Sequence, residues 1–275
     1  ISQASAPPGA RFGWGMDARI EGAEVATQLE VLYWADIVRA RMAGGIGATY
    51  LALFRTAWAY IGSGALFRLM RLRKGPVIAA LYPVLVLLGQ GLLGAGLALC
   101  SAWLIYWALQ SGLGVIGADR LADPFDAFRP IALLGGLGLG YTFLAWCGRR
   151  DHLYAWYLMK DYAFASCVRG AYPPEQEARM ADFADRIADA LNGDVDEVLG
   201  VGHSSGAYIA VSVLADVIRA GRVPEGARLS LLTLGHVVPM VSFLPGAHRL
   251  RADLAFLSTR EVAWVDVTAP GDGCS

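Results

Sequence analysis

Two uncharged apolar runs dominate the hydropathy pattern of this chain. Val77 to Leu109 passes 33 residues without a charge, with Gln90 as the main polar interruption, and Ile131 to Cys147 passes a further 17. A helix that crosses a bilayer needs about 20 apolar residues. The first run is long enough to cross with tilt, or with a kink near Pro83 or the Gly89/Gly91 pair; the second is at the short end. Trp103, Tyr106 and Trp107 form an aromatic belt at the far end of the first run. Gly135, Gly136, Gly138 and Gly140 give the second run a small-residue face suited to close packing against the first. Residues 110–129, with Asp119, Arg120, Asp123, Asp126 and Arg129, read as the loop between them.

Elsewhere the periodicity is that of a folded domain. Residues 1–24 are rich in Gly, Pro and Ala and read as irregular, and Val25 to Trp34 alternates as a strand. From Ala48 to Leu72 apolar residues recur at helical spacing beside Arg55, Arg68, Arg71, Arg73 and Lys74, which predicts an amphipathic helix on a membrane surface. Asp151 to Val168, rich in aromatics, is expected to continue the second apolar helix along the headgroups until Pro173-Pro174. Glu175 to Leu191 predicts a helix stopped by Asn192-Gly193. Strands are expected over Val195–Val201, Arg228–Gly235 and Glu261–Val267, and helices over Ala207–Ile218 and residues 245–257. This alternation predicts βαβ units and a parallel sheet. The expected fold class is α/β, a parallel sheet with helices on both faces, interrupted by a two-helix transmembrane hairpin. Residues 1–46 and 151–275 form the two parts of the main domain, 47–75 the interfacial helix and 76–150 the hairpin.

Composition supports this division. The chain is 56% hydrophobic and 17% charged, with mean hydropathy +0.44, too apolar for an ordinary soluble enzyme. A net charge of −1 gives no bulk attraction to nucleic acid. Cys100, Cys147, Cys167 and Cys274 are scattered without metal-ligand spacing, so neither a metal nor a cofactor is expected. Arg68, Arg71, Arg73 and Lys74 precede the first run, and Arg149 and Arg150 follow the second. Cationic flanks stay on the cytoplasmic side, so both parts of the main domain are expected in the cytoplasm.

The candidate chemistry lies at Gly202-His203-Ser204-Ser205-Gly206. The pattern G-x-S-x-G between a strand and a helix makes a nucleophile elbow, a tight turn that lifts the Ser hydroxyl clear of the sheet. Ser204 is the candidate nucleophile, and the backbone N–H of Ser205 is one natural oxyanion donor. Such a Ser needs a base and an acid to orient it. Asp272, on the Pro270-Gly271-Asp272-Gly273 turn after the last strand, is the first candidate acid, and Asp266, within that strand, is the second. Of the four histidines only His236 lies at the same sheet edge, and it precedes both acids. The base is therefore expected outside these residues, in a chain that continues past both Ile1 and Ser275.

These residues resemble the α/β-hydrolase superfamily, and among its members the bacterial serine hydrolases with an inserted membrane hairpin. The resemblance rests on Asp196-Glu197-Val198, the Gly202–Gly206 elbow, Leu231-Leu232-Thr233-Leu234-Gly235 and Trp264 to Asp272, with weaker support from Tyr33-Trp34-Ala35-Asp36. It implies a serine ester hydrolase with Ser204 as nucleophile and Asp272 as acid. The apolar runs lead to the expectation of a multi-pass protein of the bacterial inner membrane, and that location makes an acyl ester of a lipid or amphiphile the expected substrate. Its partners would be the bilayer and membrane proteins reached through the hairpin. The alternative is an inactive hydrolase-fold scaffold or accessory subunit.

Overall fold

The structure, a computed structural model, describes residues 12–41, 44–72, 74–115 and 124–268. It opens with an antiparallel hairpin of β1 (Gly13–Ile20) and β2 (Ala23–Glu30). Glu21 and Gly22 take positive φ values of 52° and 89°, as in the two-residue turns that match strand twist. β1 falls in the stretch expected to be irregular. Its alternation of Trp14, Met16, Ala18 and Ile20 is legible, but Gly13 and Gly15 flank the first of them. The strand expected over Val25–Trp34 ends at Glu30, and Tyr33 and Trp34 lie outside it.

Helices α1 (Ala35–Arg41), α2 (Ile46–Gly62), α3 (Ala65–Leu72) and α4 (Lys74–Ala80) follow. The single helix expected over Ala48–Leu72 is broken at Ser63-Gly64, where Gly64 has φ 71°. Leu81 separates α4 from α5 (Tyr82–Val115). Pro83 sits in the first turn of α5, where its missing N–H costs nothing. The long antiparallel partner of α5 is α6 (Pro124–Arg150). Both α5 and α6 are long and apolar enough to cross a membrane, and only 17% and 22% of their most apolar windows are buried. A core helix of a soluble domain would bury far more of its surface.

The α5–α6 seam uses some of the expected glycines and not others. A Cβ on Gly136 would lie 2.3 Å from the Ala98 carbonyl oxygen, and one on Gly140 would lie 2.7 Å from that of Gly94. Gly138 meets nothing within 4 Å. Gly136 and Gly140, four residues apart, thus let the two backbones touch. Because this face is filled within the hairpin, it is not free to dock a partner.

The chain does not run on as one helix after α6. Asp151 and Tyr154 have positive φ, 31° and 52°, and α7 (Ala155–Ser166) starts afresh. The Asp151 carboxylate accepts the N–H groups of Trp156 (3.1 Å) and Tyr157 (2.9 Å), which caps the new helix. Trp156 Nε1–H donates to Gln90 Oε1 at 2.9 Å, so the polar interruption of the first apolar run is satisfied from α7. Leu53, Leu87, Cys147, Trp156 and Met159 form a small core joining α2, α5, α6 and α7.

The second core belongs to the sheet. After α8 (Pro174–Leu191) come β3 (Val198–His203), α9 (Ser205–Arg219), β4 (Leu229–Leu234), α10 (Val238–Ser242), α11 (His248–Leu257) and β5 (Ala263–Val267). The sheet is wholly parallel in the order β3-β4-β5. Met180, Phe183 and Ile187 of α8 pack with Val211, Leu214 and Val217 of α9 and Leu250 and Leu257 of α11. Arg249 bridges these helices by pairing with Glu177, Asp216 and Asp253. Bidentate Arg179–Asp36 (3.0 and 2.8 Å) and Arg186–Glu30 (2.5 Å) tie α8 to α1 and β2.

One expectation is corrected here. Among the described residues, helices cover a single face of the sheet. The strand register puts Leu199, Val201, Val265 and Val267 on the other face, and each is at least half exposed. Apolar residues on both sides of β3 read as a strand buried twice; no described helix lies on the second side.

The glycine seam gives a direct test. Gly136→Leu and Gly140→Leu should each weaken the hairpin by about 1–3 kcal/mol, read as a lower unfolding midpoint in detergent. Gly138→Leu should change it by less than about 0.5 kcal/mol.

Candidate functional site

β3 ends at His203 and α9 begins at Ser205, so one residue makes the whole turn. That residue is Ser204, with φ 51° and ψ −120°. A side-chain-bearing L-residue held there stores about 1–3 kcal/mol of strain. The surroundings fix it. Ser204 N–H donates to the Leu234 carbonyl at 3.0 Å, and the Ser204 carbonyl accepts the Ala207 N–H at 3.2 Å. A Cβ on Gly202 would fall 2.6 Å from Ala207 Cα, so only glycine lets α9 come this close to β3. Gly206 has open space around it and plays no such part.

The sharp turn aims the N-terminus of α9 at the carboxyl edge of the sheet. The N–H of Ser205 belongs to the first turn of α9, where no carbonyl of the helix can accept it. It therefore stands beside Ser204 without a carbonyl of α9 to accept it. The Ser205 side chain does something the sequence did not suggest. It is buried, and its Oγ donates to Asp161 Oδ2 at 2.7 Å. Asp161 comes from α7, forty-four positions earlier. Burial pushes its carboxyl pKa up, and the Ser205 hydrogen bond offsets part of that rise. The available signal was its place as the lone acid in the apolar, aromatic Tyr154–Phe164 segment. Asp161 and Ser205 line a narrow cleft with Tyr60, Val237, Met240 and Val241, with room for about one water. Tyr60, whose phenol burial keeps protonated, donates to the Met240 carbonyl at 3.1 Å.

Further along the same edge, His236 and Asp266 are brought together. His236 Nε2 lies 3.3 Å from Asp266 Oδ2. The other carboxylate oxygen accepts the Thr233 hydroxyl at 2.6 Å, and Thr233 Oγ1 accepts Trp264 Nε1–H at 3.0 Å. The Val238 N–H donates to His236 Nδ1 at 3.3 Å. Nδ1 is thereby engaged while Nε2 stands beside the Asp266 carboxylate, and among the described residues no histidine hydrogen-bonds Ser204. Asp272 lies outside the described residues.

Among the described residues the assembled parts are a strained serine, a helix-terminal N–H beside it, a buried acid behind that N–H, and a histidine in the loop after β4 close to a carboxylate on β5. No protein family, curated protein or solved structure matches the chain.

Two measurements test this account. Ser204→Gly relieves the positive φ and should raise the unfolding free energy by about 1 kcal/mol, whereas Gly202→Ala should lower it. For Asp161, the folded pKa exceeds the unfolded one, so the folded state holds the extra proton. Stability should then fall as pH rises from the ordinary carboxylate range through the raised pKa. Asp161→Asn keeps a hydrogen-bond partner for Ser205 without that charge. Its stability relative to wild type should be lowest near pH 4 and grow toward pH 8 in denaturant titrations.

Proposed function

We propose that this chain is a membrane-anchored serine hydrolase of the α/β-hydrolase type, acting on an acyl ester of a lipid or amphiphile. The observation that carries the reading is the backbone of Ser204, a one-residue turn at positive φ between a parallel strand and the helix packed on it. In the proposed reaction Ser204 Oγ attacks the acyl carbonyl as its proton passes to a base. The developing oxyanion accepts the Ser205 N–H. The base then returns the proton to the leaving alcohol, and water releases the acid from the acyl-enzyme by the same steps.

Asp272 is the acid in this reading, and the base it orients is a histidine outside these 275 residues. His236 is set aside because its Nδ1 accepts the Val238 N–H, its Nε2 faces Asp266, and neither nitrogen hydrogen-bonds Ser204. The lipid-like substrate is supported by proximity: α7 carries Asp161 at the cleft and Trp156 against the hairpin. The hairpin would anchor the protein in a bacterial inner membrane, with its cationic flanks and the sheet in the cytoplasm. The alternative, a hydrolase fold serving as scaffold or accessory subunit, is favoured by the narrowness of the cleft. It would use a surface other than the filled glycine seam.

A fluorophosphonate probe separates these readings. The full chain in membranes should be labelled on Ser204, and Ser204→Ala should abolish labelling. His236→Gln should keep the labelling rate within about threefold. A loss on the order of 100-fold or more would move the base role to the His236–Asp266 pair. An unlabelled wild type would favour the scaffold.

A further inference from the structure

Between Asp36 and Asp119 the sequence carries seven basic residues and no acidic one. Four of them, Arg55, Arg68, Arg71 and Lys74, lie on or beside α2 and α3, are exposed, and have no acidic partner among the described residues. The same two helices show an apolar face to the outside. On α2 it runs through Leu51, Phe54, Trp58 and Ile61, at helical spacing, with Phe54 66% and Trp58 71% exposed. On α3 it continues with Phe67 and Leu72. The opposite side of α2 faces the protein: Leu53 is in the hairpin core, Thr56 Oγ1 is 3.2 Å from Ser166 Oγ, and Tyr60 lines the elbow cleft.

We propose that the outward face of α2 and α3 docks on an anionic phospholipid leaflet. The aromatic and aliphatic side chains enter the boundary between headgroups and acyl chains, and the four cations meet lipid phosphates. The proposal rests on the reading of α5–α6 as a membrane anchor. Continuity with that hairpin supports it, because Tyr50 of α2 donates to the Leu87 carbonyl of α5 at 2.9 Å. Charge supports it as well. A zwitterionic surface gives no reason for an unbroken excess of cations, whereas an anionic leaflet attracts each one. An apolar patch of this extent is not left facing water on a monomeric domain. With α2 seated on the headgroups, the cleft lies behind it at roughly one helix diameter, ~10 Å.

The test uses the full chain in vesicles of phosphatidylcholine containing about one-third phosphatidylglycerol, with a photoactivatable analogue of one lipid or the other. Labelled peptides are located by mass spectrometry. The expected result is labelling at Phe54, Trp58, Ile61 and Phe67 but not at inward Leu53 and Leu69. It should be at least about threefold stronger from phosphatidylglycerol at equal mole fraction and weaken in high salt. In the quadruple variant R55Q/R68Q/R71Q/K74Q the two lipids should label equally, while hairpin labelling shows that the variant still inserts. Labelling of the hairpin without α2 and α3 would overturn the proposal. So would a phosphatidylglycerol preference that survives the quadruple variant, or a protein crosslinked to this face in its native membrane while lipid label stays off it. If the hairpin itself is unlabelled, the anchor reading fails and this proposal fails with it. None of these readouts depends on Ser204 chemistry.

Discussion

Gly202 and Ala207 stand so close that a single added carbon would collide with the Ala207 backbone, and Gly200 meets Leu214 in the same seam. This contact between β3 and α9 leaves room for a turn of one residue. The turn forces Ser204 to positive φ at about 1–3 kcal/mol. The cost is offset because α9 is buried along most of its length, through Ala207, Tyr208, Val211, Leu214 and Val217, between the sheet and α8 and α11. Burying even one such side chain contributes about 1.5–3 kcal/mol. The strain therefore persists as a consequence of packing.

The same contact connects the sheet to the apolar hairpin. Because α9 starts immediately after Ser204, the Ser205 side chain turns into the protein and meets Asp161 on α7. α7 is itself held at its start by the Asp151 cap and by Trp156 on Gln90 of α5. One short helix thus has a polar contact with the elbow and another with the hairpin. Asp161 and Gln90 are each polar groups in apolar surroundings, and each would cost about 1–3 kcal/mol if left unpaired. Each is satisfied by the element it positions.

What could be read from the sequence followed the strength of the local signal. The two uncharged runs, the α8 periodicity and the three parallel strands were legible because burial repeats at a fixed period over many residues. The β3–α9 turn was legible because Gly202, with no room for a Cβ, sits where a predicted strand meets a predicted helix. Features that one residue or a distant partner decides were not legible. Gly64 splits the expected long helix, Asp151 and Tyr154 end the hairpin helix early, and β1 hides behind glycines until β2 pairs with it. Asp161 is the clearest case at the site. Its role exists only because α7 folds back over α9, a contact between residues 161 and 205 that no local pattern encodes. The histidine–carboxylate pairing was missed for the same reason. Thr233 and Asp266 face each other across β4 and β5 only once the parallel register is set.

Ser204 is the place where folding and chemistry separate. A glycine at this position would reach the same φ without penalty and would leave the β3–α9 seam intact. Among the described residues the Ser204 hydroxyl makes no hydrogen bond, so its side chain repays none of the strain it brings. The hydroxyl instead occupies the end of a parallel strand at a helix N-terminus, beside an N–H that the helix cannot use. Packing accounts for the turn, and it accounts for Gly202. It does not account for a hydroxyl at residue 204, and that unexplained hydroxyl is the strongest physical argument for reading the elbow as a site of nucleophilic chemistry.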